Sequence, residues 1–273
     1  MAHSTLGPPF LKRIVVLPER VGATGYPFSL PIFKGRPFEL AFDRPITLFV
    51  GDNGTGKSTL LEAIARHCGF NLGGGSRDNA YATDAADMPL AEALRFSWLP
   101  KVTNGFFLRA ESYFNFASYI EGIRAEGADE SAKIARIWGD TGLHDQSHGQ
   151  SLITLFRRRL GSERRALYLL DEPEAALSPK RQLEFLALLH DWAESGNVQA
   201  IVVTHSPILM GFPEAALLSF DGGRIREVAY RDIDHYRLTL DFLADPEDGF
   251  ARAVADAKEA DARQKKAQPK KKR

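Results

Sequence analysis

The chain has 273 residues, 44% of them apolar and 26% charged, which suits one large α/β domain or one domain with a helical lobe. Its 35 basic and 35 acidic side chains cancel, so no global field selects a nucleic acid or a membrane surface as partner. The single cysteine, Cys68, excludes an intrachain disulfide and suits a reducing cytosol. Residues 1–12 lack the apolar core of a signal peptide, and no run approaches about 18 apolar residues, so no membrane insertion is expected.

Residues 13–17 and 26–33 read as strands, the second bounded by prolines. Residues 38–42 alternate with period two, which predicts a third strand pairing antiparallel nearby. A β-branched, apolar run at 46–50 then leads into Gly51-Asp52-Asn53-Gly54-Thr55-Gly56-Lys57-Ser58-Thr59 and a helix-forming stretch from Leu60. This strand, loop and helix match G-x-x-x-x-G-K-[ST], a phosphate-binding loop. The glycines let backbone N–H groups close around phosphate oxygens with no Cβ in the way. The new helix points its positive end at the same anion. Lys57 is placed to reach the β- and γ-phosphates, and Ser58 to ligate Mg2+.

After this helix, Gly73-Gly74-Gly75-Ser76 opens a polar segment to about residue 87, expected to be a mobile loop. Residues 105–110 predict a buried strand. From 112 to about 139 the spacing turns helical, with Tyr113, Phe114, Phe116 and Tyr119 along it. Core strands follow at 164–170 and 198–203, and helices at 179–195 and from about 246 onward. No internal repeat is present.

Three further stretches carry chemistry. The strand before Asp171-Glu172-Pro173 ends in adjacent carboxylates, where open α/β sheets place their sites. Asp171 takes the place near Mg2+, and Glu172 that of a general base for the attacking water. Ile201-Val202-Val203-Thr204-His205 is another apolar strand ending in polar residues, with His205 placed to donate to a γ-phosphate and hold Glu172. Gln146-Ser147-His148-Gly149-Gln150-Ser151, before a basic amphipathic helix at 152–160, makes a second anion cradle at a helix start.

Taken in order, Gly51-x-Asn53-Gly54-x-Gly56-Lys57-Ser58-Thr59, Ser147-x-Gly149-Gln150, Leu170-Asp171-Glu172-Pro173, Ala175-Ala176-Leu177-Ser178 and Thr204-His205 resemble an ABC-type ATPase domain over roughly residues 13–225. The likeness is to small standalone bacterial members described only as AAA family ATPases. It implies a P-loop NTPase of the ABC-ATPase type: a mixed β-sheet with flanking helices and a small helical lobe at about 112–150. It also implies Mg·ATP as ligand and a homodimer that sandwiches two ATPs. Ser147, Gly149 and Gln150 would then act on ATP held by the partner subunit, with residues 175–178 crossing the interface. Departures are His148 where the signature usually has glycine and Gln146 where it has leucine. Glu111 stands at about the place of a usual glutamine, where a carboxylate would bind Mg2+ or water. Tyr26 and Phe28 are both candidates to stack on adenine, and both fit an ordinary core role.

The interval between Lys57 and Ser147 is too short for the long coiled coil of an SMC arm, and no heptad repeat fills it. The expected division is an ATPase domain over 1–250 and a basic, disordered tail over 251–273, whose last eleven residues hold seven cations and no acid. That tail reads as a solubilising end or as a weak contact with RNA or DNA phosphates. The expected protein is a cytoplasmic ATPase. Its role is a soluble mechanoenzyme on nucleic acid or a defence- or repair-type partner, the ATP-binding subunit of a transporter with a separate permease, or a regulatory ATP switch.

Overall fold

The computed structural model describes residues 6–21, 25–34, 37–73, 89–110, 152–154, 156–157 and 160–267. The chain divides into two compact units, Met1–Ala229 and Tyr230–Arg273.

Six strands of the first unit form its main sheet. In chain order they are β3 (Ile46–Val50), β5 (Gly105–Arg109), β6 (Ala166–Asp171), β7 (Val198–Val203), β8 (Ala216–Ser219) and β9 (Arg226–Glu227). Their spatial order is β5-β6-β7-β3-β8-β9, parallel except for the last pair. Every residue of β3, β6, β7 and β8 is buried. That is why these strands are mostly apolar, interrupted only by Thr47, Asp171, Gln199 and Ser219: a parallel sheet is covered on both faces. Alternate residues serve opposite faces. Phe107, Leu169, Ile201, Val203 and Phe49 join the core packed around α1 (Lys57–Cys68), while Tyr168 meets Trp192 of α3 (Pro179–Glu194) at 4.9 Å between rings.

A second, antiparallel sheet has the order β2-β1-β4, with β1 at Leu11–Val16, β2 at Glu39–Ala41 and β4 at Leu94–Trp98. β1 pairs with both neighbours, Ile14 standing opposite Leu40 and Phe96. A short helix, α2 (Pro89–Ala93), enters β4. Leu11, Ile14, Leu40 and Leu94 of this sheet share one core with Leu60, Leu61 and Ile64 of α1. The helix that follows the glycine-rich loop is therefore packed against both sheets.

The expected strand at 26–33 is replaced by turns and a 3-10 turn at Pro31–Phe33. Pro27 and Pro31 cannot donate to a ladder, and the apolar side chains there fold inward singly, Ile32 being 4% exposed. The expected polar loop to residue 87, the helical spacing from 112 and the lobe at about 112–150 lie outside the described residues. Within 152–160, residues 152–154 and 156–157 are helical.

The second unit pairs α5 (Asp234–Ala244) with α6 (Pro246–Ala267). The helix expected from about residue 246 onward is α6, which carries the backbone to Ala267 inside the segment also read as a tail from residue 251. Alanine, glutamate and lysine are good helix formers, and Asp248–Arg252 and Glu259–Arg263 pair at i,i+4. No described helix is long and apolar enough to cross a membrane.

Candidate functional site

All five parallel strands deliver a functional residue to one sheet edge, the carboxyl end where such sheets hold ligands. β5 ends in Arg109 and β6 in Asp171, with Glu172 next; β7 is followed by Thr204 and His205, β3 by the glycine-rich loop, and β8 leads to Asp221.

The loop runs from Gly51 to Gly56 before α1 begins at Lys57. Gly51, Gly54 and Gly56 have φ of 127°, 74° and 101°, the left-handed region a Cβ disfavours. Inside the loop the Thr55 hydroxyl donates to the Asp52 carbonyl (2.8 Å), and the Asn53 N–H to Asp52 Oδ1 (2.9 Å). The buried Lys57 ammonium sits at the centre, donating to the carbonyls of Gly51 (2.8 Å) and Asp52 (2.7 Å). Burial lowers its pKa, against the opposing pull of Glu172, Asp221, Asp52 and Asp171. The cradle is thus a desolvated cation inside glycine-rich backbone, ringed by carboxylates.

The next residue, Ser58, donates its hydroxyl to Asp171 Oδ1 (2.9 Å). The other oxygen of Asp171 accepts from Arg109 Nε (3.0 Å), and Arg109 also pairs with Glu62 of α1. Glu172 follows in the left-handed region (φ 49°), and its carboxylate stands 3.6 Å from His205 Nε2. That is beyond hydrogen-bond length. His205 is held from its backbone: its N–H donates to Glu174 Oε1 (2.6 Å). Burial raises the Glu174 pKa, and its Oε2 has no hydrogen-bond partner among the described residues. Thr204 and Ser206 fix the same loop, Ser206 donating to Gln182 Oε1 (2.5 Å) and capping α4 (Pro207–Met210).

Tyr26 and Phe28 separate here. Phe28 packs against the core, edge-on to Phe33. Tyr26 is 69% exposed with its hydroxyl 2.9 Å from Thr59 Oγ1, beside the first turn of α1.

The structure therefore brings together Gly51, Asn53, Gly54, Thr55, Gly56, Lys57, Ser58, Thr59, Asp171, Glu172 and His205. Glu111, Ser147, Gly149 and Gln150 lie outside the described residues. Sequence reasoning missed Arg109, Glu62, Asp221 and Glu174. Asp221 accepts from the Asp52 N–H (2.8 Å) and the Ser219 hydroxyl (3.0 Å), anchoring the loop from β8. A polar residue just after a buried strand was the available signal for Arg109 and Asp221, the same signal that marked Asp171.

A loop of backbone donors around a lysine, a hydroxyl beside a carboxylate, and a second acid facing a histidine define a P-loop nucleoside-triphosphatase. A family model described as "AAA domain" matches residues 29–104, and one described as "AAA domain, putative AbiEii toxin, Type IV TA system" matches residues 151–211. The cytochrome c biogenesis ATP-binding export protein CcmA of Rhodopseudomonas palustris is 30% identical over 182 residues, covering 65% of this chain and 86% of that protein. The thiamine import ATP-binding protein ThiQ of Rhizobium meliloti is 28% identical over 220 residues, covering 75% and 88%. Among solved structures, the SMC head domain from Thermotoga maritima is similar at a TM-score of 0.41 and 16% identity, over 80% of this chain and 98% of that one. The chain belongs to the ABC-type P-loop ATPase superfamily, and its activity is ATP binding and hydrolysis.

Proposed function

We propose that this ATPase works as a soluble, Mg-dependent mechanoenzyme whose two copies close around ATP and reopen on hydrolysis. The convergence of Lys57, Ser58, Asp171, Glu172 and His205 on one sheet edge carries this reading. Lys57 holds the β- and γ-phosphates among the N–H groups of residues 51–59. The Ser58 hydroxyl and Asp171 carboxylate are hard oxygen donors, the set a magnesium ion takes, and they fit it. Bound there, magnesium neutralises charge on the phosphate oxygens. Glu172 accepts the proton of the attacking water, and His205 orients the carboxylate and donates toward the γ-phosphate. The Tyr26 ring, exposed beside Thr59, takes the adenine.

Ser147, Gly149 and Gln150 complete the partner's site in this reading, and Glu111 adds a metal or water contact. The soluble partner is a nucleic acid or a defence- or repair-type protein, which the basic run after residue 262 supports through phosphate contacts. A second reading, the ATP-binding subunit of a transporter with a separate permease, is supported by the import and export proteins this chain is similar to.

Glu172→Gln tests the core of the proposal. It keeps nucleotide binding, slows hydrolysis by roughly 10²–10⁴-fold, and accumulates a dimer in Mg·ATP by size-exclusion chromatography. A variant that stays monomeric at saturating Mg·ATP, while the parent hydrolyses normally, overturns the sandwich. Capture of membrane protein rather than nucleic acid or soluble protein by the trapped form would select the transporter reading.

A further inference from the structure

At the opposite end of β5 and β6 from the nucleotide site lies an open cavity of about 560 Å³. Its wall includes Asn104, Arg157, Glu163, Arg164, Arg165 and Tyr168. Strand geometry puts it roughly 15 Å from the carboxylates at the other end of β6. None of these residues belongs to the ATP-binding machinery.

The short loop that carries Arg164 and Arg165 is fixed from four directions. Trp192 Nε1 donates to the Leu160 carbonyl (2.9 Å) and the Tyr168 hydroxyl to that of Gly161 (2.6 Å). Asn197 Nδ2 donates to the carbonyl of Ser162 (3.1 Å) and Asn104 Nδ2 to that of Arg165 (3.3 Å). Four carbonyls within six residues are thus satisfied by side chains from other elements, so the loop presents its guanidinium groups from a set backbone. Arg165 is partly engaged, donating to the Leu6 carbonyl (3.3 Å) and lying 5.8 Å from the Phe10 ring centroid. Arg157 and Arg164 are exposed and make no ion pair among the described residues.

Three guanidinium groups and one carboxylate leave a net charge near +2. Planar guanidinium forks match phosphate oxygens two at a time. A phosphate monoester carries about −1.5 to −2 near neutral pH, which balances that charge. The cavity's volume exceeds that of a bare anion and falls in the range of organic-ligand pockets.

We propose that this cavity is a second binding site, separate from the P-loop, that takes a phosphate monoester on an organic body. Two sources share that chemistry: a free nucleoside monophosphate, and the 5′-phosphate at the end of a nucleic acid strand. Arg157 and Arg164 clamp the phosphoryl group while Asn104 and Tyr168 shape the wall.

The test is calorimetric titration of the full-length protein with its P-loop filled by Mg2+ and a non-hydrolysable ATP analogue. The probes are adenosine monophosphate, a 5′-phosphorylated oligodeoxynucleotide and the same strand with a 5′-hydroxyl. A phosphate-bearing probe should bind with the P-loop occupied. Arg157→Gln and Arg164→Gln should each weaken it by about tenfold, the usual worth of a charge-assisted hydrogen bond. Both residues are exposed, so ATP hydrolysis and folding should be unchanged in the variants. Binding of both phosphorylated probes assigns the site to a free monoester, and binding of the 5′-phosphorylated strand alone assigns it to a strand end. No binding at millimolar probe, equal binding of the 5′-hydroxyl strand, or affinity unchanged in the double variant overturns the proposal.

Discussion

Arg109 is the residue whose removal tests most directly how the site is held together. It joins Asp171, on the sheet, to Glu62, on the helix that follows the glycine-rich loop. The side chain of Asp171 is 4% exposed, that of Glu62 23% and that of Arg109 30%. Deleting one partner of a fully buried pair costs about 3–5 kcal/mol, because the remaining charge is left desolvated. An exposed pair contributes only about 0–1 kcal/mol. With Asp171 buried and Arg109 nearly a third exposed, Arg109→Ala should cost about 2 kcal/mol. In a unit of this size that lowers the melting midpoint by about 4–8 °C. Two unpaired carboxylates also make a divalent-cation site, so Mg2+ without nucleotide should raise the variant's midpoint and leave the parent's nearly unmoved. Melting followed by near-ultraviolet circular dichroism reads both effects, and Glu62→Ala combined with Arg109→Ala should lose less than the sum of the two. A midpoint within about 1 °C of the parent's would mean that solvent screens the pair and the bridge does not hold the site.

Lys57→Ala removes the one cation inside the cradle and should abolish tight nucleotide binding and turnover; unchanged affinity by fluorescent-nucleotide titration would remove Lys57 from its assigned place. Burial raises the Glu174 pKa, so the folded state favours the protonated acid. Its contribution to stability is complete below the unfolded-state value and is lost as pH rises through the folded one. Glu174→Gln keeps an acceptor for the His205 N–H without the charge, so it should be more stable than the parent at about pH 8 and equal to it below about pH 4. A parent as stable as the variant at both pH values would refute that account in denaturant titrations.

What the sequence made legible was local. The phosphate-binding motif is nine consecutive residues, six in the loop after β3 and three in the first turn of α1. Asp171, Glu172 and His205 were legible because an apolar run that stops at polar residues points to a strand end. Arg109 and Asp221 have the same signature, yet their roles depend on which strands are neighbours. Only the order β5-β6 puts Arg109 against Asp171, and only β3-β8 puts Asp221 under the Asp52 N–H. Residues 26–33 misled because apolar content suggested a strand that two prolines cannot complete. β4 was missed although Leu94, Phe96 and Trp98 alternate with Arg95 and Ser97, a pattern the flanking segment obscured. The helix from about residue 246 was legible from its helix-forming alanines, glutamates and lysines, while the basic charge of the same stretch read as a tail.

Among the described residues, Glu172 is the one non-glycine residue with a positive φ. An L side chain in that region carries strain of about 1 kcal/mol, which glycine would not feel and asparagine would feel less. The fold would therefore be more robust with either of those residues at position 172. Keeping an acid there trades durability for aim: the unusual backbone turns one carboxylate away from the strand and toward His205. Stability and turnover are set against each other at this one position, and a search for hardier variants of the protein would meet that conflict here first.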